Sequence, residues 1–308
     1  TDASLFNNLK KYREHIFRSH AQYILKTYLE NWIKKIDVHP PAKSISYTAI
    51  IIEDRPSELL KFSIYNTLLM SGLRVKVVLF TTHASFMQMQ ELFGNLKQWL
   101  TVIELDFIDQ DINKINRINY NNILKSSIFW EFLPTKNILI FQTDALLIEP
   151  LDFKIFNYDY VGAPFANNKS LSTSFPHIIE SSVYKKVNKW VTQSFNKAIP
   201  IPDGVFLGNG GLSLRNRDVM IEICKNEHSR ENENEDIFFS RLIKRYSKNI
   251  VPFDIAQRFS CECAYFKSIG SHASYYYLTK EQQAEIYERH IKHVFALVDL
   301  PIDSAFFN

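Results

Sequence analysis

The sequence predicts an α/β fold in which helices flank a sheet that is parallel in its first half. Two patterns carry this prediction: apolar strands alternate with helices from residue 46 onward, and residues 4–37 repeat apolar side chains at helical spacing. The chain has 308 residues, 46% hydrophobic and 22% charged, which suits one large α/β domain with an appendage. Its formal net charge is only +3, so we expect no nucleic-acid partner.

Residues 1–42 are predicted to form a basic N-terminal helical extension, closed by Pro40-Pro41. Its cationic side chains are Lys10, Lys11, Arg13, Arg18, Lys26, Lys34 and Lys35. We favour a packing helix with a solvated charged face. The alternative is a helix that contacts a membrane surface or a protein partner.

The alternating elements belong to a domain predicted over residues 43–300. Four largely apolar segments are predicted strands: 47–52, 75–80, 100–105 and 138–141. Predicted helices lie between them, at 57–71, near 84–98 and at 120–132. Alternation of this kind is typical of parallel strands joined by right-handed crossovers. Residues 43–150 are therefore expected to form a nucleotide-binding half, although they contain no glycine-rich phosphate loop.

Residues 151–300 are expected to form the acceptor half, which is less regular. It contains a predicted insertion at 166–200, which we interpret as a lid over the acceptor. Helices are predicted through Met220–Cys224 and Ile237–Lys244. The acidic residues before the second helix suit its dipole, so capping alone would explain them.

Asp144 is the first candidate site residue, because it follows an apolar strand directly. A carboxylate in that position forms an ion pair, binds a metal or loses its charge. In open α/β sheets, ligands bind at the carboxyl ends of the strands. Gln142 and Thr143 share this position, and Glu53 and Arg55 follow the first strand in the same way.

Several segments, in this order, resemble a domain-of-unknown-function family related to GT-A glycosyltransferases. They are Glu53-x-Arg55-Pro56, Tyr120-Asn121, Phe129-Trp130-Glu131, Leu139–Asp144, Tyr158–Pro164, Asn209–Arg215 and Asn234-Glu235-Asp236. The resemblance covers about residues 46–275. It implies a GT-A-like (Rossmann-type) mixed sheet and an enzyme that moves a sugar from a nucleotide-sugar donor to a glycan or glycoconjugate acceptor. Decoration of cell-surface polysaccharides or glycoproteins would be its implied role.

The resemblance also implies a donor site and a metal site. The donor residues would be Glu53, Arg55, Gln142, Thr143 and Asp144. Asp144 and His272 would bind Mn²⁺ or Mg²⁺, since a divalent ion offsets the charge of a departing diphosphate. The related enzymes carry Asp-x-Asp where this chain has Gln142-Thr143-Asp144, so the site has one negative charge fewer.

The acceptor side needs a base if transfer inverts the sugar. Asp236 is the candidate base, and Glu235 is a neighbour that would raise its pKa. Residues expected to contact the sugars are Asn209, Gly210, Gly211, Ser213 and Arg215. The two glycines would allow the backbone to approach the sugars closely.

Two other classes of function remain open on the residues alone. One is a catalytically silent module of the same fold that binds a glycan or scaffolds a partner, which Gln142 keeps open. The other is a nucleotidyltransferase, which would need a more cationic phosphate loop.

The three cysteines bear on the cellular location of the protein. Cys224, Cys261 and Cys263 are an odd and sparse set, so we expect a reducing cytoplasm, with a peripheral membrane location as the alternative. A zinc site at Cys261, Cys263 and His272 fits no common spacing. The chain begins at Thr1, which suggests a piece of a longer polypeptide.

Overall fold

Most of the chain is described by a computed structural model, which covers residues 2–39, 45–109, 112–164, 208–303 and 307. The predicted insertion at 166–200, and the predicted lid with it, lies outside the described residues. The same holds for the junction at residue 42 between the predicted extension and the predicted domain.

The described chain alternates strands and helices, with two additional strands near its end. The strands are β1 (Tyr47–Ile52), β2 (Val75–Thr81), β3 (Leu100–Glu104), β4 (Asn137–Phe141), β5 (Ala145–Leu147), β6 (Tyr160–Ala163), β7 (Asn209–Asn216), β8 (Ser260–Cys261) and β9 (Gly270–His272). The α-helices are α1 (Asp2–Ile24), α2 (Glu30–Ile36), α3 (Glu58–Met70), α4 (His83–Leu92), α5 (Arg117–Leu124), α6 (Ser127–Phe132), α7 (Arg217–Asn226), α8 (Glu235–Tyr246), α9 (Phe253–Phe259) and α10 (Lys280–Val298). A π-helical turn joins α1 to α2.

The central sheet has the strand order β3-β2-β1-β4-β7-β6. Its first four strands are parallel, whereas β7 runs antiparallel to both β4 and β6. The chain moves outward from β1 to β3 and then returns to place β4 on the other side of β1. This reversal opens a crevice at the carboxyl ends of β1 and β4, where open α/β sheets bind ligands. A mixed sheet flanked by helices, with an N-terminal helical extension, confirms the predicted fold class.

A smaller sheet of order β5-β9-β8 lies beside the central one. Its strands β5 and β9 are antiparallel, with Ala145 opposite His272. This register brings His272 next to Asp144, although the two residues are 128 positions apart in the chain (272 − 144). Sequence periodicity does not predict this sheet, because its strands are only two or three residues long.

The N-terminal extension packs against the domain through apolar and aromatic contacts. The ring of Phe17 stacks on Tyr275 at 5.0 Å between centroids, and Trp32 is fully buried. Helix α3 lies between the sheet and this extension, and nearly all of its side chains from Leu60 to Met70 are buried. A helix that is apolar on all sides needs such cover, so the extension completes the core.

Several basic side chains of the extension have partners within the protein. Arg13 donates to the Leu278 carbonyl oxygen at 3.0 Å, and Lys35 donates to the Val298 carbonyl oxygen at 3.1 Å. Lys26 forms ion pairs with two glutamates. The structure therefore favours the packing helix, and it does not support a membrane or partner contact through this segment. None of the described helices has the length and apolarity needed to cross a membrane.

Two predicted helices have different bounds in the structure. The helix predicted over 120–132 is wrong as a single element: α5 ends at Leu124 and α6 begins at Ser127. The Trp130 indole donates to the Leu124 carbonyl oxygen at 2.7 Å, and this local side-chain bond bridges the corner between the two helices. Helix α4 ends at Leu92, short of the predicted 98.

Candidate functional site

A cleft of about 500 Å³ opens at the carboxyl ends of β1 and β4, where the strand order reverses. We call it the main cleft. Its walls come from the ends of these strands, from α1, from α5 and from the turn after β9. Glu53, Arg55, Gln142, Thr143 and Asp144 all line it, so the structure brings the five predicted donor residues together.

Two residues of this cleft, Asp144 and Gln142, contact the His272 imidazole. The His272 Nε2 atom lies 3.3 Å from Asp144 Oδ1 and 3.0 Å from Gln142 Oε1. Burial alone would raise the pKa of the Asp144 carboxyl, but the His272 charge and hydrogen bond lower it overall. Burial likewise opposes charge on His272, but the Asp144 carboxylate raises the pKa of the imidazole overall. The two groups therefore favour a charged pair.

His272 occupies space that a larger residue at position 211 would fill. A Cβ atom on Gly211 would overlap the His272 imidazole, so only glycine leaves room for this ring. The His272 Nδ1 atom is buried and has no hydrogen-bond partner among the described residues. Gly211 thus accommodates a protein side chain, and its role in the approach of a sugar stays a prediction.

A divalent cation could be held at this cluster, jointly with a bound ligand, only in place of the proton that His272 Nε2 carries in the charged pair. Neighbouring ligands of an octahedral ion, each about 2.1 Å from it, lie about 3.0 Å apart. The separations of His272 Nε2 from Asp144 Oδ1 and Gln142 Oε1 match that spacing. No group of three or more His, Cys, Asp or Glu side chains with metal-site geometry occurs in the described part of the chain. An ion here would therefore take most of its oxygen ligands from bound phosphate and water.

Glu53 and Arg55 form a rigid pair at the end of β1. The Glu53 Oε1 atom accepts hydrogen bonds from the backbone N–H groups of Asp54 and Arg55, each at 3.0 Å. The Arg55 guanidinium donates to both Glu53 oxygens, at 2.7 and 2.8 Å. Glu53 is buried and Arg55 is 75% exposed, so the cationic end faces the cleft. Thr143 accepts a hydrogen bond from Ser63 through its carbonyl oxygen.

Asp236 lies in the first turn of α8 and faces β7. Its carboxylate accepts from the Ile237 backbone N–H at 2.8 Å and from the Gly210 backbone N–H at 3.4 Å. Burial, followed by the charge of Glu235, raises the pKa of Asp236 to about 7. The Asp236 charge in turn helps to raise the pKa of His272, so both belong to one electrostatic cluster.

Glu235 and Arg215 form a buried ion pair behind Asp236. Arg215 is 1% exposed and donates to Glu235 Oε1 at 3.0 Å. Its guanidinium lies 4.7 Å from the centre of the Tyr160 ring, and its Nε atom donates to Ser213 Oγ at 3.1 Å. Both side chains are enclosed by protein, and the contact of Ser213 and Arg215 with the sugars stays a prediction.

Gly210 and Asn209 also support the site from within. A Cβ atom on Gly210 would overlap the Glu235 carboxylate, so this glycine makes room for Glu235. The Asn209 amide donates to Glu262 Oε2 at 2.9 Å and accepts from the Gly211 backbone N–H at 2.8 Å. Glu262 is 5% exposed and helps to raise the pKa of His272. Glu262 was not predicted as a site residue. Its only distinguishing feature in the sequence is its position between Cys261 and Cys263.

Residues of α1 and α5 complete the main cleft and were not predicted. Glu14 and Arg18 of α1 line it, as do Arg117 and Tyr120 of α5. Arg117 also borders a second cleft of about 560 Å³ on the other side of α5. Their signal would have been the helical spacing within each segment, which can be interpreted only once the cleft is known.

A known protein family matches more than half of the chain. The sequence pattern of the family described as "Protein of unknown function (DUF5672)" matches residues 102–274, more than half of the chain. A search of curated protein sequences gave no significant match.

The structure is also similar to several solved glycosyltransferases. A mannosyltransferase from Pyrobaculum calidifontis, in complex with GDP-Man and Mn²⁺, has 15% identity and a TM-score of 0.40, over 80% of this chain and 67% of that one. Mouse xyloside xylosyltransferase 1 has 13% identity and a TM-score of 0.41, over 73% of this chain and 96% of that one. The glycosyltransferase GlyE of Streptococcus pneumoniae has 10% identity and a TM-score of 0.37, over 83% and 62%.

Proposed function

The chain belongs to the family described as protein of unknown function DUF5672, and from that premise and the main cleft we propose that it is a glycosyltransferase. In the proposed reaction, a sugar moves from a nucleotide-sugar donor to a hydroxyl group of a glycan or glycoconjugate acceptor. The nucleoside diphosphate leaves, and the configuration at the anomeric carbon inverts.

One observation carries this proposal: a carboxyl group with a pKa near 7 lies in the same electrostatic cluster as an acid–imidazole pair at the strand-order reversal. The carboxyl group is Asp236, and the pair is Asp144 with His272. A base works best when its pKa is close to the working pH. The pair suits a phosphate-bearing ligand, because such a ligand binds at this edge of α/β sheets.

The donor side is assigned to residues at the ends of β1 and β4. Glu53 holds the Arg55 guanidinium towards the cleft, where its remaining N–H groups donate to diphosphate oxygens. Gln142 and Thr143 hydrogen-bond the nucleotide. Mn²⁺ or Mg²⁺ is the proposed cofactor, with Asp144 and His272 as its protein ligands, and it would supply Lewis-acid stabilisation of the departing diphosphate.

The acceptor side is assigned to Asp236. Its carboxylate takes the proton of the acceptor hydroxyl as the oxygen attacks the anomeric carbon, and the charge of neighbouring Glu235 helps to keep its pKa high. Asn209, Gly210 and Gly211 form the backbone beneath this base. Ser213 and Arg215 hold Glu235 in place and position the base indirectly.

A silent glycan-binding or scaffolding module is the second candidate. The contact that favours it is the 3.0 Å approach of Gln142 to His272, because a neutral amide lies where a second carboxylate would strengthen metal binding. Such a module would bind sugars without turnover.

The direct test is ligand-induced thermal stabilisation with UDP-, GDP-, CMP- and dTDP-sugars, each with and without Mn²⁺. A ligand that binds the native state raises stability by RT ln(1 + [L]/Kd). We expect one nucleotide to raise the melting temperature of the wild type with metal, and Asp144→Ala to abolish that shift. Asp106→Ala, which alters an exposed acid outside the cleft, is the matched control. A shift without sugar transfer to any acceptor would favour the silent module, and the absence of any shift would refute the donor site.

A further inference from the structure

Helix α5 presents two side chains to the main cleft that have no assigned role. Arg117 and Tyr120 are three residues apart and both line the cleft, as the helical repeat allows. The helix is capped by the Asn116 side chain, which accepts from the Asn119 backbone N–H at 2.9 Å. It is also tied to α8, because Asn121 Oδ1 accepts from the Glu235 backbone N–H at 2.6 Å.

The Tyr120 hydroxyl is buried and makes no hydrogen bond with the described residues. The Gln142 side chain is close enough to act on this phenol as a hydrogen-bonding neighbour, which works to lower its pKa, but the pair falls outside hydrogen-bond geometry. Burial, and then the Glu235 charge, raises the pKa of this phenol, so it stays a proton donor. A buried hydroxyl without a partner destabilises the fold, and native proteins rarely retain one unless a water or ligand satisfies it.

Arg117 differs from the other two arginines that line the main cleft. Arg18 donates to Glu14 and Arg55 donates to Glu53, so a carboxylate neutralises each of them. The Arg117 guanidinium donates only to the amide oxygen of Asn234, at 2.9 and 3.3 Å, among the described residues. No carboxylate among the described residues is hydrogen-bonded to it, so it brings a positive charge without a direct partner carboxylate to this part of the cleft wall.

We propose that Arg117 and Tyr120 bind the leaving group of the nucleotide sugar. The Arg117 guanidinium binds the diphosphate, and the Tyr120 hydroxyl donates a hydrogen bond to an oxygen atom of the nucleotide sugar. The ligand class is a nucleoside diphosphate, because a guanidinium matches phosphate oxygens in charge and geometry. This inference rests on the proposed function. It adds to the site a wall, formed by α5, that faces the ends of β1 and β4. The bond from Asn121 to α8 would keep this wall in register with Asp236.

The test measures the affinity of the full chain for the mono- and diphosphates of uridine, guanosine, cytidine and thymidine, with Mn²⁺, by titration calorimetry. Charge-assisted hydrogen bonds contribute enough that Arg117→Gln should weaken diphosphate binding by about 10- to 100-fold. It should also remove most of the affinity gained between the monophosphate and the diphosphate of the same base. Tyr120→Phe should weaken diphosphate binding by about 3- to 10-fold.

Melting of the unliganded variants separates a ligand-binding hydroxyl from a structural one. Tyr120→Phe removes a buried hydroxyl without a partner, so its melting temperature should equal or exceed that of the wild type. Tyr12→Phe and Arg245→Gln are matched controls, because both residues are exposed and lie outside the cleft. Neither control should change affinity.

Each alternative result has a distinct meaning. If the wild type binds a diphosphate and both variants bind it equally well, the inference is wrong and the proposed function stands. If Tyr120→Phe melts lower with unchanged affinity, its hydroxyl is structural. If Arg117→Gln weakens the mono- and diphosphate equally, the guanidinium does not contact the second phosphate. If the wild type binds none of these nucleotides or their sugars, the proposed function fails as well.

Discussion

Asp236 is the residue on which the proposed chemistry depends most directly. Asp236→Asn keeps the size of the side chain but removes the base, so turnover should fall by about 10²- to 10⁴-fold. Donor affinity should stay within a factor of a few, because the donor residues are at the strand ends. The measurement is single-turnover sugar transfer together with donor titration. Turnover within a few-fold of the wild type would exclude Asp236 as the base.

The raised pKa of Asp236 predicts a pH dependence for activity. The base must be ionised, so kcat/KM should rise as the pH increases through about 7 and then level off.

The contribution of Asp236 to stability has the opposite dependence on pH. Because the native pKa lies above 3.8, the ordinary value, this contribution is complete below about pH 4 and is lost as the pH rises through 7. The free energy of unfolding of Asp236→Asn, measured with urea, should therefore rise relative to that of the wild type as the pH increases from 5 to 8. A parallel profile for the two proteins would contradict the raised pKa.

At the scale of single residues, the sequence located chemistry better than orientation. Asp144, Asp236 and His272 do lie in one cluster, because carboxylates at element ends meet where the strands end. Arg215 was expected at the surface of the site, yet it is buried. Its burial depends on Glu235 and Tyr160, which are distant in sequence, and no local pattern reports such a partner.

At the scale of elements, the Arg215–Glu235 pair joins β7 to α8. Removing one partner of a buried ion pair leaves an uncompensated charge, so Arg215→Ala should lower the free energy of unfolding by about 3–5 kcal/mol. Urea denaturation followed by circular dichroism measures it. Arg245→Ala is the control on the exposed face of α8, and it should leave the unfolding free energy nearly unchanged. Equal effects of the two substitutions would show that the buried pair adds nothing to stability.

The predicted bounds were most accurate for the apolar strands and least accurate where the chain turns between two helices. Strands β1 and β2 match their predicted ranges within one residue, because several apolar residues run together in each. The corner at Lys125-Ser126 is bridged by the hydrogen bond from the Trp130 indole to the Leu124 carbonyl oxygen, a local side-chain contact that helical spacing does not reveal. Helix α10 was not predicted, although Thr279 and Gln282 form a complete capping box at its start.

At the scale of the whole molecule, the N-terminal extension is part of the site as well as of the core. It was predicted as a separate segment over 1–42, because its composition is basic and Pro40-Pro41 ends it. In the structure, α1 supplies Glu14 and Arg18 to the main cleft and packs on the turn that follows His272. Sequence periodicity identifies a helix but not the surface that it covers, which is why the two roles could not be separated.

A pair formed by half-buried His20 and fully buried His290 links this extension to the rest of the molecule and predicts acid sensitivity. His20 Nε2 lies 2.9 Å from His290 Nδ1, and His290 Nε2 lies 2.7 Å from Asn66 Oδ1. Asn66 donates through its amide to the Leu147 carbonyl oxygen at 2.9 Å, so its Oδ1 is the acceptor for His290. His290 must then carry its proton on Nε2, and His20 donates to it. This chain of hydrogen bonds connects α1, α10, α3 and β5 through neutral rings.

Protonation of His290 on Nδ1 would remove the acceptor for His20 and break that chain, and burial opposes a charge on either ring. Burial lowers the pKa of His20 from 6.5 to about 4 and that of His290 well below its usual value. A depressed pKa stabilises the fold above pH 6.5, and this stability is lost as the pH falls towards the native value. Between pH 7 and 4.5, His20 alone should account for about 1–3 kcal/mol of lost unfolding free energy. His20→Gln keeps a donor for His290 but does not titrate, so its stability should fall less over this range. An equally steep loss in that variant would show that the acid sensitivity arises elsewhere.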